Sequence, residues 1–228
     1  MKKELKILIG ILVIFIVGFA VAAQLYKSAN ISSSTPASSE GGSGSIASSA
    51  VVDERHVRSD SPTLGPENAA VTLVEFLDPE CESCRAFYPV VKRILTEYSG
   101  RIRFVVRYMP FHSNSVLAAQ ATEAAGAQGK YWEMQELLFT KQGEWGHNSE
   151  PQRELMINYA KELGLDVEKF QASLSNMLVF QKLERDKQDG VALGVNGTPT
   201  FFVNGQKLEN LSYDALKAAI DSTLQASK

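Results

Sequence analysis

Seven residues, Val71-Thr72-Leu73-Val74-Glu75-Phe76-Leu77, limit the choice of fold more than any other stretch. They are rich in β-formers and nearly continuous in apolar character, which suits a central strand covered on both faces. Four residues later a helical pattern begins, with Phe87, Val90/Val91, Ile94, Leu95 and Tyr98 recurring at helical spacing. Pro89 falls inside this helix and is expected to kink it; Gly100 ends it. Ile102-Arg103-Phe104-Val105-Val106-Arg107-Tyr108 then reads as a second strand. A strand, a helix and a strand in succession call for a parallel pair joined by a right-handed crossover.

From about Ser115 to Leu193 the pattern is helical throughout: 115–128, 130–141, Glu150 to Leu163 with Ser149 as its cap and Pro151 in its first turn, Asp166 to Leu174, and Asn176 to Leu193. Thr200-Phe201-Phe202-Val203 returns to β, and Asn204-Gly205 turns it into a hairpin with Gln206-Lys207-Leu208. Ser212 caps a last helix, 213–225. Residues 61–66 read as an irregular lead-in. The outline is an α/β domain over 59–228 with a helical insertion at about 113–193.

Ahead of it lie two segments of another kind. Ile7 to Ala23 is a run of 17 uncharged residues preceded by Lys2, Lys3 and Lys6. As a helix it would span about 25 Å, at the short end for a bilayer crossing. Its lysine asymmetry predicts a signal-anchor over 1–27 that leaves the rest of the chain outside the cytoplasm. The alternative is secretion after cleavage at the small-x-small pattern Ala20-Val21-Ala22. Residues 28–50 hold ten serines and a single charge, Glu40, with no apolar periodicity. The segment 28–58 therefore reads as a flexible linker. Net charge is −3, which gives no reason to expect nucleic acid as a partner.

The chain has two cysteines, Cys81 and Cys84, spaced C-x-x-C at the head of the first helix. Two thiols at that spacing can close a disulfide with each other, and the helix's partial positive charge favours a thiolate at the first. Cys81 is the candidate nucleophile, expected to be exposed; Cys84, one turn in, is the candidate resolving thiol, expected to be more buried. A structural zinc needs four ligands, and His56, His112 and His147 are scattered. An inert structural disulfide remains open, although so short a loop would constrain little. Glu75 lies six residues before Cys81 in a buried-looking strand. A buried carboxyl there could exchange a proton with Cys84; a strand residue paired with a lysine or facing water is the other reading. Thr198-Pro199 is either strand punctuation or a cis X–Pro unit that leaves Thr198 backbone groups free for an extended substrate. His112, after Met109-Pro110-Phe111, either faces the site or is a solvated loop residue; Trp132 and Trp145 read as packing in the helical block, and 182–187 as a solvated helix face.

Three pieces together resemble the thioredoxin superfamily, in its DsbA-like branch: residues 65–76, the Cys81-Glu82-Ser83-Cys84 motif, and 194–205, which includes Gly197-Thr198-Pro199. Plain thioredoxins lack the helical insertion; the DsbA-like branch has it. The resemblance covers about residues 60–226. It implies a thioredoxin-like fold with Cys81 as attacking cysteine, Cys84 as its partner, Thr198-Pro199 as the facing cis-proline element and Glu75 as the buried acid. Pro89 falls where thioredoxins carry a helix-kinking proline. It further implies exported proteins as substrates, a membrane quinone-linked partner for re-oxidation, a monomer, and no cofactor or metal beyond the Cys81–Cys84 disulfide.

One departure stands out. The DsbA-type dipeptide is Pro-His, whose histidine helps hold the thiolate; here it is Glu82-Ser83. Ser83 can donate one hydrogen bond, but Glu82 adds a negative charge, Asp78 and Glu80 look set to crowd the same rim, and like charge raises a thiolate's pKa. The expectation is a weaker oxidant, with a potential between ~−120 mV (DsbA) and ~−270 mV (thioredoxin). Disulfide formation in exported proteins is the first reading. A reductase using the same cysteines and a non-catalytic thioredoxin-like module, holding a partner or a soft metal, are the alternatives.

Overall fold

The computed structural model describes residues 52–227. The expected membrane span Ile7–Ala23, the cleavage pattern at residues 20–22 and most of the 28–58 linker lie outside them. Among the described residues no helix is long and apolar enough to cross a membrane.

A five-stranded sheet runs β1-β3-β2-β4-β5, from β1 (Thr63–Leu64), β2 (Val71–Leu77), β3 (Ile102–Tyr108), β4 (Thr200–Val203) and β5 (Gln206–Lys207). The central strand β2 pairs with β3 in parallel over its whole length, Val71 against Ile102 through Leu77 against Tyr108. On its other edge it pairs antiparallel with β4, Glu75 facing Phe201. Between them runs the crossover helix α1 (Glu82–Glu97), with Pro89 inside it. The lead-in is not wholly irregular: β1 adds two antiparallel residues to β3. Two residues are too few to leave a periodic signal. The β4–β5 hairpin turns through Asn204 and Gly205, both at positive φ (46° and 81°), where asparagine and glycine are the residues that fit.

The side chains of β2 divide by alternation. Leu73 and Leu77 join one buried cluster with Cys84, Val91 and Ile94 of α1. Val74 and Phe76 join another on the far face with Val105, Met109 and Phe202. The helices α2 (Ser115–Gly126), α3 (Tyr131–Thr140), α4 (Gln142–Trp145), α5 (Arg153–Glu162) and α6 (Val167–Ser173) enclose a core of their own. Its largest member, Trp145, is fully buried and donates its indole N–H to the Leu138 carbonyl at 2.9 Å. The helix α7 (Met177–Ala192), capped by Asn176, leads back to the sheet. Gly190 lets it approach closely: a Cβ there would come within 3.1 Å of the Phe76 ring. The last helix, α8 (Tyr213–Ala226), is capped by Ser212.

Two sequence expectations need correction. The cap at Ser149 does not form; α5 starts at Arg153, and its N-cap residue Gln152 makes no side-chain cap bond. Pro151 restricts the residue before it to extended backbone, so the helix cannot begin ahead of it. The 182–187 cluster is a solvated face only in part: Glu184 and Lys187 are exposed. Lys182 and Asp186 are buried, and Asp186 accepts from Arg107 Nε at 3.0 Å. Arg107, fully buried on β3, also donates to Asp189 at 2.6 Å, and Asp189 in turn receives both Nε and Nη2 of Arg58. Burial pushes the Asp186 carboxyl up despite the attraction of Arg107.

Removing one member of a buried ion pair strands the others, at a cost of about 3–5 kcal/mol. Arg107→Met is accordingly expected to lower unfolding free energy by about that amount in urea titrations, with Lys92→Met, at an exposed surface pair with Glu136, changing it by less than about 1 kcal/mol.

Candidate active site

The turn between β2 and α1 carries the two cysteines. Cys81 is the N-cap of α1, extended at φ −71° and ψ 123°. Its N–H donates to the Asp78 carbonyl at 3.1 Å, and its own carbonyl accepts from Arg85 N–H at 3.1 Å. Both cysteines are free thiols. Cys84 is 1% exposed and Cys81 8%. The expected exposed Cys81 is therefore nearly covered, because the 196–200 loop lies over it. Its thiol donates to the Thr198 carbonyl at 3.3 Å. The Thr198–Pro199 bond is cis. That loop brings Thr198 and Pro199 from 117 residues away to the first sulfur.

The two sulfurs are unlike. A hydrogen bond from the Cys84 thiol is the main reason the Cys81 thiol is brought down to about 5; burial opposes it, and the Thr198 side chain and the backbone N–H groups of Cys84 and Ser83 assist. Burial, then the bond to Cys81 and the charge of Glu75, push Cys84 far up. Glu75 shares the sheet face of Leu73 and Leu77 and is 4% exposed. Burial alone raises its carboxyl to about 8. It lines a cavity of about 260 Å³ together with Val91, Phe104 and Trp132. All five residues singled out in the sequence thus lie on β2, the head of α1 and the loop before β4.

The acidic rim is the main correction at the site. Asp78 and Glu80 do not stand at an open rim; both are fully buried and ringed by donors. Asp78 accepts from Phe111 N–H (2.7 Å), His112 N–H (3.2 Å), Glu80 N–H (2.8 Å) and the Ser115 hydroxyl, and its Oδ2 lies 2.7 Å from His112 Nδ1. Glu80 accepts from Asn114 N–H and His147 N–H, each at 2.6 Å, and from Asn114 Nδ2 at 3.1 Å. Burial works against the charge on Glu80, yet the His147 and Asn114 bonds prevail and hold its carboxyl below the ordinary value. Gln142 ties the same turn to the insertion, donating to the Pro79 and Cys81 carbonyls at 2.9 and 3.2 Å.

His112 is likewise no free loop residue, and His147, Gln142 and Asn114 carry no sequence signal for the roles they take. Their partners lie 34 to 67 residues away, so only folding brings them together. His147 sits at φ 56°, the left-handed region, which turns its N–H onto Glu80. Among the described residues no cluster of three or more His, Cys, Asp or Glu side chains is arranged to hold a metal ion.

The family model described as thioredoxin matches residues 58–222, and the chain belongs to the thioredoxin superfamily. Its fold, with the helical insertion after the second long strand, is the DsbA-like form of it. The oxidised BdbD structure from Bacillus subtilis superposes with a TM-score of 0.65 at 28% identity, covering 72% of this chain and 93% of that one. A thioredoxin-like oxidoreductase from Silicibacter pomeroyi gives 0.62 at 29% identity, covering 72% and 92%. The Wolbachia pipientis protein α-DsbA1 shares the fold at 0.68 with 19% identity, over 74% and 93%. Among curated proteins, the Na(+)/H(+) antiporter NhaA of Herminiimonas arsenicoxydans is 42% identical over 164 residues, 72% of this chain but 25% of the relative. The chain spans about a quarter of the length of the curated relatives it matches.

Glu75 supplies a test of the site's electrostatics. Its folded pKa, about 8, lies above the ordinary 4.5, so the folded state binds more protons than the unfolded state between those values. Stability from this group is complete below about pH 4.5 and is lost as pH rises through 8. Glu75→Gln should abolish that decline. Urea unfolding at pH 4.5 and 8.5 is expected to show the variant gaining relative stability with pH, by up to about 4–5 kcal/mol.

Proposed function

We propose that this chain is an extracytoplasmic thiol–disulfide oxidoreductase that promotes disulfide formation in exported proteins. The observation that carries the reading is the contrast between the two sulfurs: Cys81 acidic and touching the cis-proline loop, Cys84 buried and basic. A thiol held near 5 is about 99% thiolate at pH 7. A stable thiolate stabilises the reduced form of the pair, and so favours passing the disulfide to a substrate. The donors around Glu80 keep it charged, so what favours the oxidase direction over the reductase one is that the hydrogen bonds from Cys84 and Thr198 bring Cys81 down in spite of that charge.

The cycle follows from the same geometry. A substrate thiolate attacks Cys81 Sγ; the Cys81–Cys84 bond breaks and a substrate–Cys81 disulfide forms. Cys84 leaves as a thiolate and, being strongly basic, takes the proton that Glu75 holds at neutral pH. The second substrate thiolate attacks the substrate sulfur of the mixed disulfide and releases the Cys81 thiolate. Two electrons pass to the protein, and a membrane redox partner removes them. A groove of about 440 Å³ beside Thr198, Pro199 and the exposed Leu211 suits an extended substrate segment. In this reading Ile7–Ala23 tethers the domain to the membrane as a monomer.

Cys84→Ala should trap mixed disulfides with exported proteins through Cys81, visible on non-reducing gels and lost in Cys81→Ala/Cys84→Ala. If no disulfide-linked species forms, the enzymatic reading fails. Alkylation of Cys81 by iodoacetamide should rise with a midpoint near pH 5, well below the ordinary 9.0 of a thiol. Equilibration with glutathione should place the potential nearer the DsbA end (~−120 mV) than the thioredoxin end (~−270 mV); the reverse would favour the reductase.

A further inference from the structure

We propose that the cavity in front of Glu75, bounded by the sheet, α1 and α3, is a binding site for a small apolar amine, whose ammonium pairs with the Glu75 carboxylate while its hydrocarbon part fills the cavity. The site goes beyond the disulfide chemistry and does not depend on it.

The acid at its wall is buried and lacks a partner. Glu75 stands in mid-β2 between Val106 of β3 and Phe201 of β4, whose side chains cannot hydrogen-bond to it. It is 4% exposed, and burial alone raises its carboxyl; no hydrogen bond or cation among the described residues acts on it. The other buried acids are served differently. Asp78, Glu80, Asp186 and Asp189 each accept at least two hydrogen bonds.

The cavity measures about 260 Å³. Leu64, Val91, Leu95 and Phe104 give it an apolar wall, and Trp132 stands against Phe104 with ring centroids 6.0 Å apart. A dry cavity of about 150 Å³ already takes a benzene ring, so this one has room for a ring and a short chain. Of its buried lining residues, Glu75 and Gln135 are polar and Val91 and Phe104 apolar. A buried water wants about two to four polar partners, which such a wall supplies poorly. The charged residues at the exposed mouth already have partners: Lys92 holds Glu136 at 2.6 Å, and Lys130 holds Glu133 at 2.9 Å. Among the charged lining residues Glu75 is left without a counter-ion, which selects a cation over an anion. A carboxylate in an apolar wall is costly until a cation with hydrogen-bond donors meets it. The titratable groups that face Glu75 are Cys84 and Tyr88 of α1, with Lys92 further out, and Tyr131, Glu133 and Glu136 of α3.

Binding is linked to pH with a definite sign. Glu75, at about 8, is mostly neutral at pH 7, so an incoming ammonium expels its proton to solvent. Below pH 8 about one proton leaves per amine bound, and affinity rises up to about tenfold per pH unit. Phenethylamine, 2-phenylethanol and 3-phenylpropanoate share a ring and a two-carbon chain and differ in head group. Calorimetry on the full chain is expected to give phenethylamine a Kd on the order of 1 mM at pH 8, weakening about tenfold at pH 7. In buffers of different ionisation enthalpy it should show proton release. 2-Phenylethanol should bind more weakly and without that pH dependence, and 3-phenylpropanoate not at all. In the wild type, saturating phenethylamine should lower the carbon-13 NMR titration midpoint of the Glu75 carboxyl by about one unit or more. Glu75→Gln should weaken the amine at least about tenfold at pH 8 and remove its pH dependence. Leu95→Trp, which fills the cavity with Glu75 in place, should abolish binding. No binding of phenethylamine at pH 8, equal binding of 3-phenylpropanoate, an unmoved Glu75 midpoint, or affinity unchanged in Glu75→Gln overturns the site and leaves the cavity to water. A chain that binds the amine but traps no mixed disulfide keeps this site and loses the oxidoreductase reading, so the two failures are distinguishable.

Discussion

Two buried carboxylates, Asp78 and Glu80, decide the shape of the candidate site around the cysteines. They sit at the end of the central strand, where charge is costly unless every oxygen finds a donor. The donors come from outside the thioredoxin-like core: Phe111, His112, Asn114 and Ser115 at the entry to the helical insertion, and His147 beyond α4. The turn that presents Cys81 therefore takes its conformation from the insertion. Gln142 adds a third tie through the Pro79 and Cys81 carbonyls. The insertion is part of the candidate site's wall as well as a separate hydrophobic cluster.

The division of labour between the sulfurs has the same origin. Cys81 lies at the helix start with hydrogen-bond donors around it and a covering loop that leaves a little of its surface open. Cys84 faces the cluster between α1 and the sheet, with Glu75 on the same sheet face. Burial raises both the Glu75 carboxyl and the Cys84 thiol within a single apolar layer. Polar groups in that layer are few, which is why the carboxyl of Glu75 can be neutral at pH 7.

Much of the fold was legible because its signals are local. The run Val71–Leu77, the helical spacing from Phe87 to Tyr98, the Asn204-Gly205 turn and the Ser212 cap each declare themselves within a few residues. Cys81, Cys84, Glu75, Thr198 and Pro199 were readable from spacing and resemblance. What failed depends on distant partners. The cluster around Asp186 looked like a wet helix face because its cation, Arg107, stands 79 residues earlier on β3. Asp78 and Glu80 looked like repelling charges because, apart from the Glu80 N–H on Asp78, their donors lie 33 residues or more away. A charge pattern gives signs; it does not give the polar atoms that will face them.

Arg107 also fixes the stretch ahead of β1 onto the domain. Its Nη1 holds the Arg55 carbonyl, while Arg58 joins the same cluster through Asp189, and the His56 ring packs edge-on against Phe202, 5.0 Å between centroids. Val74, Phe76, Val105 and Phe202 mark this as the sheet face away from the cysteines. The segment 55–58 is thus held by a charged lock between β3 and α7, on the sheet face opposite the one that carries the cysteines.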